Sequence, residues 1–331
     1  MILFVFFVLQ GEHRRYCKPS QCKVFSSPKD ISYYRNMETK VKPNKVLGYV
    51  LLVLAGLSFA TFVEATRALD RNLDWQAAVL ARGVFGCVIA LPLAWFSLHK
   101  LNFFDSKMLM RTALVSIFTF GILYAASVIS PSDAIAVTST LPIWVAFLSM
   151  IFLAKRYTIA FWFACAVVVG GMVLLVAAKP TAAFFVIVLL IGATVCRGGS
   201  LLMLQTMKEV PATILALHLS IVLAVASAIV FFFSGGFDHL EVLLDARGIA
   251  LLFTIGIASN LFIILTIKVV GILGSIAGGV VGLIAAAMAY IIDILLWGDA
   301  VTMLHIFGLL LVLIPVAWIV LSKHVVKLKT N

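Results

Sequence analysis

From residue 46 onward the chain alternates long apolar runs with short breaks of charge, Gly or Pro, and each run holds the roughly 20 residues needed to cross a bilayer. The pattern predicts ten spans in two sets of five. The first set covers about 46–66, 75–96, 108–129, 132–154 and 158–178, and the second about 182–207, 211–233, 248–269, 275–297 and 301–321. Most breaks are only a few residues long, so consecutive spans are antiparallel neighbours. The longer loops are 97–107 and 234–247. Residues 1–45 do not fit the pattern. MILFVFFVLQ is too short to span and lacks the basic lead of a secretory signal. The stretch reads as a disordered cytoplasmic tail, with an interfacial anchor or a later start at Met37 as the other readings. Residues 322–331 form a short C-terminal tail on the same side.

Composition agrees with a polytopic membrane protein. Hydrophobic residues make up 63% of the 331 and charged residues 12%, against about 45–50% and about 25% in soluble domains. The net charge of +11 would suggest nucleic acid in a soluble protein, but here the basic residues gather at span ends and in the tail, so no nucleic-acid partner is expected. With a cytoplasmic N-terminus, the inner side holds 19 Lys and Arg, Arg111 among them, and the outer side four. Both termini are therefore assigned to the cytoplasm. The five cysteines show neither disulfide nor metal spacing, and no metal or cofactor is expected.

The two sets resemble each other. Gly56 and Gly192, and Arg82 and His218, are both 136 residues apart. Five spans per half require the second half to be inverted, and inverted repeats are a signature of secondary transporters. The fold class read from the chain is an all-α integral membrane protein of ten transmembrane helices, arranged as two inverted five-helix repeats at 46–178 and 182–321.

Several stretches resemble the drug/metabolite transporter superfamily with its paired EamA-type repeats. They are ARGVFGCVIALPL with Arg82 and Pro92, YAASVISPSDAIAVTSTLPIWVAFLSMIFLAKR with Pro142, and ASNLFIILTIKVVGILGSIAGGVVGLIAAAMAYIIDILLWGD before the last span. The chain departs from the family at Lys155 and Arg156, where the fourth span usually ends in Glu followed by a basic residue. It departs again in LIAAAMAY, where the ninth span often carries a proline. The resemblance implies a ten-helix carrier of small organic solutes such as amino acids, nucleosides or drugs.

Polar residues inside apolar spans are costly, so they are the candidate site. Arg82 lies in AAVLARGVFGCVIALPLAWF and would grip a carboxylate or phosphate, or else pair with Glu64. Glu64 and Asp293 are candidate coupling carboxylates, Glu64 also a substrate ligand, with H+ or Na+ as the coupling ion. Arg197 lies deep in ATVCRGGSLL, where snorkelling to the interface is hard, and Asp293 is a candidate partner for it. His218, Asn260, Tyr124 and Trp144 complete the substrate-binding candidates. The ladder Gly274, Gly278, Gly282, Ala286 reads as a close-packing face. The cations favour a solute bearing a carboxylate or phosphate. If Glu64 and Asp293 neutralise both arginines, the cavity suits zwitterions or nucleoside-like molecules instead.

No zinc motif, phosphate loop or nucleophile elbow is present, so no catalytic residue is assigned. An intramembrane hydrolase using Ser58 and His218 is one rival to a carrier, and a membrane scaffold or sensor is another. The expected location is the inner membrane, as a monomer or homodimer in contact with lipid and a small-molecule substrate.

Overall fold

The structure, a computed structural model, describes residues 45–69, 75–129, 131–153, 156–177, 182–204, 207, 209–234 and 245–298, with scattered residues beyond. The expectations for residues 1–44, for Lys155 and for most of the tenth span fall outside these. A chain this apolar satisfies its backbone within helices, since lipid offers no hydrogen-bond partner. The helices are α1 (Lys45–Ala68), α2 (Trp75–Ala94), α3 (Ser106–Val128), α4 (Pro131–Thr138) and α5 (Leu141–Leu153). They continue with α6 (Ile159–Ala177), α7 (Ala182–Met203), α8 (Ala212–Phe233), α9 (Ala246–Leu273) and α10 (Ser275–Ile292). Eight segments among the described residues are long and apolar enough to cross a membrane, so the protein is a multi-pass membrane protein.

Local chemistry sets the boundaries. Asp105 caps α3, its carboxylate accepting from the Lys107 amide at 3.3 Å. The fourth span is two helices rather than one. Between α4 and α5 the hydroxyls of Thr138, Ser139 and Thr140 turn back onto carbonyls of Ile135 and Val137, and Pro142 sits in the first turn of α5. Ser139 Oγ also reaches the Gly282 carbonyl on α10 at 2.9 Å, which ties the break to that helix. Gly274, at φ +96°, is the single residue joining α9 to α10, a conformation that favours glycine.

The glycine ladder is therefore not one face of one helix. Gly274 is a turn, Gly278 backs Val270 and Leu201, and Gly282 faces Ser139. Gly279, which the four-residue spacing misses, meets Pro142 backbone at 2.9 Å from where its Cβ would lie. At the far end of α10 the chain winds into a π turn, Asp293–Trp297, closed by Gly298 in the left-handed region.

Helix packing centres on α2 against α8, α1 against α9 and α10, and α3 and α5 against α7. α2 also meets α9, α3 meets α8, and α4 meets α10. A two-residue antiparallel ladder pairs Arg156–Tyr157 (β1), just after α5, with Val326–Lys327 (β2) near the C-terminus.

Candidate functional site

Arg82 lies about 10 Å along α2, from a rise of about 1.5 Å per residue. Small residues bring its neighbours close. A Cβ at Gly83 would lie 2.5 Å from Ala224 backbone on α8, and one at Gly86 would lie 2.7 Å from both Ser220 Oγ and Asn260 Nδ2. Arg82 is consequently only 3% exposed, and its guanidinium stands over the Phe62 ring, 4.9 Å from its centroid. Neither terminal nitrogen has a hydrogen-bond partner among the described residues.

The Arg82 side chain lines a small cavity with Ser220, Ser259 and Asn260, closed by Leu219, Leu223 and Ile263. Its volume of about 10 Å³ is room for roughly one water molecule, so the site is closed to any organic solute in this conformation. Ser220 Oγ donates to Asn260 Oδ1 at 3.4 Å, while Asn260 Nδ2 and Ser259 Oγ both donate to the Gly256 carbonyl.

Arg197 lies about 22 Å along α7, yet its guanidinium turns toward the same region. It stands over Phe262 at 5.3 Å and Phe118 at 5.7 Å, and its Nη1 has no hydrogen-bond partner among the described residues. Phe59 stacks on Phe262 at 4.6 Å and contacts Phe62 and Phe118, so four rings fill the space between Arg82 and Arg197. Arg111, counted in the sequence as an inner flanking charge, is instead 1% exposed within α3. Its Nη1 donates to the Leu215 carbonyl at 3.4 Å and its Nε has no partner among the described residues.

The acids are engaged elsewhere. Asp293, in the π turn, binds Arg67 near the end of α1 at 2.7 Å, not Arg197. Trp297 Nε1 donates to Glu64 Oε2 at 3.3 Å, and Arg67 lies over the Trp297 ring. The four side chains bind the end of α1 to the end of α10. Asp133 accepts from the Tyr290 hydroxyl. The pairing of Arg82 with Glu64 considered from the sequence does not form, because Arg82 rests on Phe62 instead.

His218 is fully buried with both ring nitrogens occupied. Nε2 lies 3.1 Å from the Phe103 carbonyl, which only accepts, so Nε2 carries the proton. In the neutral ring Nδ1 then accepts from Thr112 Oγ1 at 2.8 Å. His218 holds α8 to α3 and to the loop before it. Ser58 Oγ donates to the Leu54 carbonyl, so no Ser58–His218 pair forms.

Tyr124 packs edge-on against Trp75, and Trp144 donates to Thr140 beside the break in the fourth span. Neither lines the Arg82 cavity. Of the sequence candidates, the structure thus brings Arg82 and Asn260 together, with Arg197 across the rings. It adds Arg111, Ser220 and Ser259. Among the described residues no group of three His, Cys, Asp or Glu side chains could hold a metal ion.

Residues 46–177 match the EamA-like transporter family. That stretch is therefore an EamA-like domain of the drug/metabolite transporter superfamily, as the motifs around Arg82 and Pro142 implied. No curated protein matches the chain. Among 27 matching chains of known structure is a crystal structure of a protein 13% identical to this one. It superposes with a TM-score of 0.55 over 82% of this chain and 96% of its own, a likeness of fold alone.

Proposed function

We propose that the protein is a secondary carrier of a small organic solute bearing a carboxylate or phosphate. The observation that carries this reading is Arg82, whose buried terminal nitrogens have no hydrogen-bond partner among the described residues and which lines a small cavity between α2, α8 and α9 with Ser220, Ser259 and Asn260. A bidentate donor held dry and unpaired suits an incoming oxyanion.

Two inverted halves fit the packing. Let α1 exchange with α7, α2 with α8, α3 with α9, and α4 and α5 with α10. The contact of α1 with α9 then maps onto that of α7 with α3, and α1 with α10 onto α7 with α5. The contact of α2 with α9 maps onto α8 with α3, and those of α2 with α8 and α4 with α10 map onto themselves. Such closure is what a pseudo-two-fold axis relating two repeats requires.

The apolar run at residues 301–321 is long enough for a tenth crossing. With the bias of Lys and Arg, both termini lie in the cytoplasm and the protein in the inner membrane. The acids near the ends of α1 and α10, Glu64 and Asp293, then close the outer face, and their opening by H+ or Na+ is the coupling route this reading favours. The test is exchange by purified protein in liposomes over a panel of amino acids, nucleosides, carboxylates, phosphate esters and cationic drugs. Counterflow of at least one solute is expected, and its loss in Arg82→Gln. A panel with no exchange, or an Arg82→Gln variant with full activity, would overturn the reading.

A further inference from the structure

Arg82 and Arg197 stand at two ends of one cluster of rings, Arg111 binds the carbonyl of Leu215 next to the Ala216 that lines the Arg82 cavity, and no carboxylate among the described residues meets any of the three. Arg82, Arg111 and Arg197 come from three helices, α2, α3 and α7, and each is nearly fully buried. The three acids within the described helical segments are committed to Arg67, Trp297 and Tyr290. Phe62, Phe118 and Phe262 offer ring faces to two of the cations. A ring face attracts a cation but carries no net charge, so the rings leave the positive charge uncompensated.

A solute with one carboxylate would compensate one of the three charges. A zwitterion would bring its ammonium into the same positive field, where no acid is placed to receive it. From this charge balance we infer that the site selects organic solutes carrying at least two negative charges, dicarboxylates or phosphate monoesters, and rejects zwitterions and cations. The inference rests on the carrier reading and adds the charge class of the cargo. Arg82 and Arg197 supply two forks reaching in from different depths, Arg111 adds a third buried charge, and Asn260 and Ser220 line the cavity with Arg82.

The test uses thermal stabilisation of the purified full chain at fixed ionic strength, slightly above neutral pH. Four-carbon probes vary charge at nearly constant size: succinate with two carboxylates, butyrate with one, zwitterionic 4-aminobutyrate, and putrescine with two ammoniums. Glycerol 3-phosphate and inorganic phosphate separate a phosphate preference from a carboxylate one. Succinate or glycerol 3-phosphate should half-saturate at a concentration at least about tenfold below butyrate. 4-Aminobutyrate and putrescine should not stabilise at all.

Arg197→Gln and Arg111→Gln each remove a buried charge and should remain folded. Each should reduce the preference for the dianion over butyrate to a few-fold or less. The inference is overturned if butyrate or 4-aminobutyrate matches both organic dianions, if neither dianion stabilises, or if both variants keep the full preference. Liposome exchange separates the two readings. Exchange of 4-aminobutyrate without succinate would leave a carrier with the wrong charge class, whereas succinate binding with no exchange of any solute would leave the charge class and refute the carrier.

Discussion

The close approach of α2 to α8 at Gly83 positions Arg82, and a single methyl group tests it. In Gly83→Ala the new Cβ would lie 2.5 Å from the Ala224 N and Cα and 2.9 Å from its Cβ. Carbon atoms settle at about 3.5–4.0 Å, so the two helices must part by about 1 Å, and a methyl group has no rotamer by which to escape. Overpacking of this kind costs about 1–3 kcal/mol, while replacing a helical glycine by alanine recovers about 0.5–1 kcal/mol. The net expectation is a loss of about 1–2 kcal/mol. Gly192 on α7 is the control, since nothing lies within 4 Å of its Cβ position and only the propensity gain remains. Melting of detergent-solubilised protein at one scan rate should therefore order the variants as Gly192→Ala, wild type, Gly83→Ala, from most to least stable. If Gly83→Ala melts at or above wild type, the helices are not held as closely as described, and the enclosure of Arg82 loses its basis.

Three further outcomes follow from the same geometry. Gly279→Ala should destabilise by about 1–2 kcal/mol, because its Cβ would meet Pro142 backbone. Gly282→Ala, with its nearest atom at 3.4 Å, should melt within a few degrees of wild type; equal losses would refute the packing of α10 on the break. In a double-mutant cycle, Asp293→Asn and Arg67→Gln should show a coupling of about 1 kcal/mol or more, read from thermal or denaturant unfolding, and strict additivity would dissolve the contact between α1 and the π turn. Arg82→Gln should raise the melting temperature while abolishing solute-induced stabilisation, because it removes a buried cation that no acid compensates; a fall in melting temperature would mark Arg82 as a structural strut.

Much of the bundle is legible along the chain because a membrane span needs only length and apolar composition, which any window reveals. The break in the fourth span was less visible. TSTLP at 138–142 contains its signal, three consecutive hydroxyl residues ahead of a proline, but hydroxyls also sit quietly inside helices by bonding back one turn. The 136-residue offset that pairs Gly56 with Gly192 and Arg82 with His218 does not extend to their surroundings. Gly56 packs on Ile284 while its counterpart Gly192 faces open space. Arg82 is an unpaired cation while His218, its counterpart, is a saturated hydrogen-bonding group.

Charge partners were the least legible feature, because helix rotation and not sequence distance decides them. Glu64 and Arg82 flank one short loop, and Asp293 and Arg197 were the natural second pair, yet the acids turn toward the ends of α1 and α10 and the arginines toward the centre. The segregation has a physical consequence. Had each arginine met an acid, the centre would be neutral and the bundle would gain a pair of internal struts. With the acids gathered at one end around Arg67 and Trp297, the centre keeps its positive charge, softened only by the Phe59, Phe62, Phe118 and Phe262 rings. An anion that neutralises that charge removes a standing repulsion among three helices, so binding and closure of the helices around it favour each other, and the same anion must be displaced or carried through before they part again.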